Sequence, residues 1–253
     1  MDSLSERKQA LLQGIIEEYV HSAKPVASAW LVDKLGLDLS PATIRNEMKE
    51  LEEQGLITHP HTSAGRIPTE SGYRFYIEHF LQPKADLDKS SQLELQQLSG
   101  VVTDQGQEGI IKNVMKGVAT KANEAVLVSL NRNSFYYTGI THLFRKPEFQ
   151  QVSEALIFSE LIDHLDEVMM KLHSLEPDDG DITFLIGSDN PVSQYCSALI
   201  MQYPLGTIAL LGPMRMHYQY NYELLKYTKS LLRSLWAIHH RISPNSHRNQ
   251  LRN

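Results

Sequence analysis

The sequence predicts an α+β protein, an N-terminal winged helix-turn-helix followed by a small sheet domain with flanking helices. Three observations carry this. A capped amphipathic helix runs into an apolar–polar–apolar stretch with the outline of a hairpin. Two helical patterns precede it. Downstream, five strand-like runs are interleaved with helical stripes, the order of an α+β domain.

The first helix carries Leu11, Leu12, Ile15, Ile16, Tyr19 and Val20 at a period near 3.6, with Ser3 and Glu6 at capping-box spacing ahead of it. Lys24 and Pro25 break it. A shorter helix over Ser28 to Lys34 turns Leu31 and Leu35 inward and stops at Gly36. The third helix opens with Ser40 as cap and Pro41 in the first helical position, and places Ile44, Met48 and Leu51 on one face. Thr43, Arg45, Asn46 and Lys49 are left on the others, and Gly55 supplies the positive-φ stop. A short apolar strand (Leu56, Ile57, Thr58) and a polar loop with His59, His61, Thr62, Ser63, Gly65 and Arg66 complete a wing with an arginine near its tip. Such a helix enters the major groove, and such a wing lies against the backbone or minor groove. The candidate DNA-binding residues are therefore Ser40, Thr43, Arg45, Asn46, Lys49, His61, Thr62, Ser63 and Arg66. Arg45 and Asn46 suit base edges, while Lys49 and Arg66 suit phosphates.

Domain limits follow the composition. Residues 1–82 form the DNA-binding domain. Residues 83–106 read as a linker rich in Gln, Ser, Asp and Lys with one short helix, and 107–253 as an effector and dimerisation domain. Within the last, a helix near Glu108 to Lys121 precedes strands at Ala125–Leu130 and Phe135–Tyr137. Pro147 opens a long helix through Phe149, Val152, Leu156, Leu161, Leu165, Val168 and Leu172. Three strands follow (Ile182–Ile186, Tyr195–Tyr203, Gly206–Leu211), then a final helix carrying Leu224, Thr228, Leu231, Leu235 and Ile238.

At this point the residues carry a resemblance. SPATIRNEM, LEEQGL and PHTSAGRIPTESGYR closely resemble the HrcA heat-inducible transcription repressor family over roughly residues 5 to 80. TGITHLFRKPEF, IGSDNPVSQ and GTIALLGPMRMHY resemble it more weakly, in the family's order. The resemblance implies a cytoplasmic bacterial repressor of chaperone genes that binds an inverted-repeat operator in double-stranded DNA as a homodimer. It also implies a GAF-like C-terminal domain and GroE chaperonin assistance. The chain departs from the family at Ala27, Ser28, Ala29 and Trp30, where relatives carry Gly-Ser and a basic residue, so a phosphate contact there is not carried over. Between Glu124 and Thr141 it lacks most of an inserted dimerisation region, so this is a short form whose dimer geometry is its own.

Charge and the remaining motifs set the other expectations. The chain totals 24 Lys+Arg against 30 Asp+Glu, a net of −6, and residues 1–83 hold 8 against 12. An acidic domain still binds DNA if its cations form a local stripe, and Arg45, Lys49, Arg66 and Arg74 are the candidates. One cysteine, Cys196, suits a reducing compartment and a buried apolar role. His59 and His61 lack further ligands at metal spacing, and nothing resembles a P-loop, a nucleophile elbow or a paired-carboxylate cleft. No metal, no cofactor and no enzymatic activity are expected, and no membrane-crossing helix. Arg215, after Gly212 and Pro213, has two readings: an anion-ligand site at a strand end, or an anchor pairing a carboxylate to hold the turn. A small-molecule-sensing regulator with a C-terminal pocket is the alternative to a chaperonin-linked repressor.

Overall fold

The computed structural model describes residues 4–36, 39–61, 64–101, 104, 106–131, 134–150, 164–174, 182–191 and 193–242. The chain divides into two compact units. The first joins residues 1–83 to two distant pieces, 186–197 and 212–219; the second comprises 84–185, 198–211 and 220–253.

In the first unit, α1 spans Glu6–Ser22 and buries Leu11, Leu12, Ile15, Ile16 and Val20. Its capping side chain is Ser5, which accepts from the Lys8 amide, two residues later than the Ser3 cap read from sequence. Ala23 takes a left-handed conformation and ends the helix. Next come α2 (Ser28–Leu35), α3 (Pro41–Glu53), the paired strands β1 (Ile57–Thr58) and β2 (Ile67–Pro68), and α4 (Glu70–Phe80). β1 and β2 are antiparallel, Ile57 opposite Pro68 and Thr58 opposite Ile67. The core of this unit is the shared apolar side of α1, α3 and α4, with Leu11, Ile44, Leu51 and Tyr73 all essentially inaccessible.

The second unit is built on a five-stranded sheet in the order β4-β3-β7-β6-β5, formed by β3 (Ala125–Asn131), β4 (Ser134–Thr138), β5 (Thr183–Ile186), β6 (Cys196–Tyr203) and β7 (Gly206–Pro213). β3 pairs antiparallel with both β4 and β7. Nearly every residue of β6 and β7 is buried, Cys196 included, and this is why they read as continuous apolar runs rather than alternating ones. The stretch read as a linker is folded into this unit. Helix α5 (Lys89–Ser99), capped by Asp88, buries Leu95 and packs on α6 (Gly106–Ala122). Lys121 of α6 pairs with Glu94 at 2.7 Å.

Pro147 starts only a single 3-10 turn, Pro147–Phe149. Residues 151–163 of the long helix expected there lie outside the described residues, and its end survives as a helix over Leu165–Ser174. The C-terminal helix, Tyr218–Ile242, buries Leu224, Leu225, Thr228 and Leu232. Among the described residues no helix is long and apolar enough to cross a membrane.

Candidate nucleic-acid interface

Ser40 and Pro41 start α3 as their chemistry dictates. The Ser40 hydroxyl accepts from the Thr43 amide at 3.1 Å and lies 3.0 Å from the Thr43 hydroxyl, so both polar side chains are occupied in capping. Ile44, Met48 and Leu51 face the core. Arg45, Asn46 and Lys49 are exposed. Gly55 takes φ +75°, the conformation its position after the helix calls for.

The four glutamates of α3 are each matched by a cation. Glu47, almost fully buried, pairs with Arg7, and Glu50 pairs with Lys8 at 2.6 Å, which ties α3 to the start of α1. The hydrogen bond and the charge of Lys8 hold the Glu50 carboxyl below its ordinary range. Lys49 approaches Glu53 at 3.6 Å across one turn, an exposed pair of little strength. Glu52 takes the Arg66 guanidinium at 2.9 and 3.0 Å and also meets His59. Arg45 and Asn46 have no such partner among the described residues.

The β1–β2 hairpin is anchored at its base. Arg66 exchanges two backbone hydrogen bonds with Val26, at 2.8 and 2.9 Å, so an isolated bridge ties the segment between α1 and α2 to the hairpin. Gly65 is needed for that approach, since a Cβ there would sit 2.4 Å from the Val26 oxygen. Arg66 thus lies at the base of the β1–β2 hairpin, bound to Glu52, and not near the tip where the sequence reading put it. At the tip, His61 is exposed, whereas Thr62 and Ser63 lie outside the described residues.

Two further arginines join residues 1–83 to the distant pieces of this unit. Arg74 donates to Glu70 at 2.7 Å, to the Ile186 carbonyl at 2.6 Å, and to Asp189. The Glu70 hydrogen bond leads the interactions that raise the Arg74 pKa above normal. Burial alone would push the Glu70 carboxyl up, but hydrogen bonds from Arg74 and from Ser188 outweigh it and leave it lowered. Arg215 donates to the Val20 carbonyl at 2.7 Å, which ties it to the end of α1. None of these long-range partners is signalled by local spacing.

A family model described as the HrcA protein C terminal domain matches residues 79–220, more than half of the chain. The chain belongs to the HrcA family. A heat-inducible transcription repressor HrcA from Desulfitobacterium hafniense is 25% identical over 345 aligned positions, covering 94% of this chain and 99% of that protein. Such an alignment is far longer than 253 residues, so the relative holds segments this chain lacks. The HrcA from Brevibacillus brevis is 27% identical over 85% of the chain and 93% of its own length. Over a shorter stretch the similarity is higher: the HrcA from Chloroflexus aggregans is 56% identical over 79 residues, covering 31% of this chain and 21% of that protein. A crystal structure of a hypothetical protein, solved at 2.2 Å, superposes with a TM-score of 0.70 at 18% identity, covering 92% of this chain and 98% of the other. That likeness speaks to the fold alone.

Proposed function

We propose that this HrcA-family chain is a DNA-binding transcription repressor of heat-shock genes and not an enzyme. In this reading residues 1–82 form a winged helix-turn-helix, with α3 reading the major groove and β1–β2 as the wing. The protein acts in the cytoplasm as a homodimer at an inverted-repeat operator. The second unit is a reduced GAF-like effector domain, and GroE chaperonin maintains the active fold. The observation that carries the reading is the surface of α3. Its acids are matched by Arg7, Lys8, Lys49, Arg66 and His59, while Arg45 and Asn46 stand exposed and unengaged among the described residues. These two side chains make bidentate contacts with guanine and adenine, worth roughly 1–3 kcal/mol each. Ser40 and Thr43 put the helix N-terminus near phosphate, Lys49 adds charge, and His61, Thr62 and Ser63 form the wing tip. The relatives' printed names, heat-inducible transcription repressor, support the same reading.

Selection of duplexes from a randomised library by the full chain tests it directly. An enriched inverted repeat, with half-sites about 34–36 Å apart or a multiple of that, is expected. Recovery of unenriched sequence would remove α3 as a reading helix.

A second reading, a small-molecule-sensing regulator, has one observation in its favour. Ile110, Ile111, Tyr203, Leu205, Leu232 and Trp236 line an apolar cavity of about 270 Å³ within the second unit. A small apolar compound that abolished duplex binding while the fold stayed intact would favour it over heat-driven loss of activity.

A further inference from the structure

We propose that Arg74 and Arg215 are positioning residues for DNA binding, through which the loops 186–190 and 214–219 fix the two helices that carry α3. The proposal rests on α3 being the reading helix, and it assigns a role to IGSDNP and GPMRMHY that no DNA contact explains.

Each carrier helix is gripped at one end from far along the chain. At the start of α4, Glu70 accepts from the Ser188 amide at 3.1 Å and from the Ser188 hydroxyl at 2.7 Å. Arg74, one turn later, closes the same cluster onto Asp189 and the Ile186 carbonyl. The loop is shaped for this: Gly187 holds φ +56°, and a Cβ there would fall 2.1 Å from a Glu70 carboxylate oxygen. Farther along, Tyr73 packs against Tyr218 with ring centroids 5.7 Å apart, and Gln82 and Gln219 exchange hydrogen bonds at 2.7 and 3.2 Å. At the end of α1, Pro25 has no amide to offer the last carbonyls, and Arg215 supplies a donor to Val20 instead. A cation at that end also suits the helix dipole.

The carriers in turn hold α3. Arg7 and Lys8 of α1 bind Glu47 and Glu50. Thr69 caps α4 through the Gly72 amide at 3.1 Å and donates to the Gly55 carbonyl at 2.6 Å, just past the end of α3. Releasing either loop therefore frees a helix on which the orientation of Arg45 and Asn46 depends. Both arginines act without touching DNA, because their guanidinium groups are already committed.

The full chain, a duplex it has selected from a randomised library, and titrations across salt concentration provide the test. Arg74→Gln and Arg215→Gln should each weaken binding about tenfold, the loss typical of a hydrogen bond to a charged group. The salt slope should stay that of the wild type, whereas losing a phosphate contact lowers it by about one. The pair Arg74→Gln with Asp189→Asn should bind no more weakly than Arg74→Gln alone, since the two side chains share one contact. A reduced slope, unchanged affinity in both single variants, or additive losses in the pair would overturn the proposal. Amide exchange of the unliganded chain supplies an arm independent of DNA. Gly187→Ala should speed exchange in the first turn of α4, and Arg215→Gln in the last turn of α1; protection equal to wild type in both would also overturn it. Failure of the wild-type chain to select any sequence would instead remove the reading of α3, and the exchange result would still stand or fall alone.

Discussion

The exposed face of α3 and the N-terminal half of α4 are both polar, and both place an arginine on the surface a few residues from a glutamate. They differ in what surrounds the guanidinium. Arg45 has no partner among the described residues, whereas Arg74 meets two carboxylates and a carbonyl within a single cluster. Availability for a ligand is thus decided by the company a cation keeps in three dimensions and not by its residue type or string. Arg66 belongs with Arg74 in this respect, since Glu52 and the Val26 backbone already hold it.

The largest expected separation between the two faces is in stability. Arg74→Ala should lower the free energy of unfolding by roughly 2 kcal/mol, the loss of several hydrogen bonds to charged groups, while Arg45→Ala should stay within about 0.5 kcal/mol of wild type. Denaturant midpoints at constant slope give both numbers, and equal effects would erase the contrast. In binding the order reverses in kind. Arg45→Ala should cost about 1–3 kcal/mol on the preferred duplex and flatten the ranking of base substitutions; an unchanged ranking in competition assays would deny Arg45 its reading role.

Acid sharpens the comparison further. The folded-state pKa of Glu70 lies below its ordinary 4.5, so its stabilising charge is fully present above about that pH and is lost as pH falls through the lower folded value. The stability gap between wild type and Glu70→Gln should therefore close on acidification below about pH 4.5, while no such closing is expected for Arg45→Ala. A gap that held constant to pH 2 would contradict the ion-pair origin. The smallest effect belongs to Lys49. Its exposed pair with Glu53 is worth at most about 1 kcal/mol, so Lys49→Ala should leave stability nearly untouched yet lower the salt slope of duplex binding by about one.

Much of this was legible in the sequence where the physics is local. Ser40, Pro41, Ile44, Met48 and Leu51 specify α3, and the observed helix starts and packs as that pattern requires. The five strand-like runs all appear as strands of one sheet. Legibility failed where the deciding partner is remote. Residues 83–106 look like a linker because their apolar content is thin, yet Leu87 and Leu95 are buried and Ser91 reaches Tyr220 at 3.2 Å. Leu95, with the small side chains of Ser91 and Ser99, makes the buried face of a helix whose other half of the contact is α6. Arg74 looked like part of a basic stripe because its acid Asp189 is 115 positions away. Periodicity reports which face a side chain occupies, and it carries no information about which distant segment will arrive there.

The bond from Arg215 to Val20 also sets a clock on synthesis. The two residues are 195 positions apart, and at 5–20 residues per second a ribosome needs roughly 10–40 s to travel between them. Throughout that interval the nascent α1 has an open C-terminal end, and the surfaces that loops 186–197 and 212–219 will cover are exposed to whatever else binds apolar surface. The part of the chain that is made first is among the last to be finished.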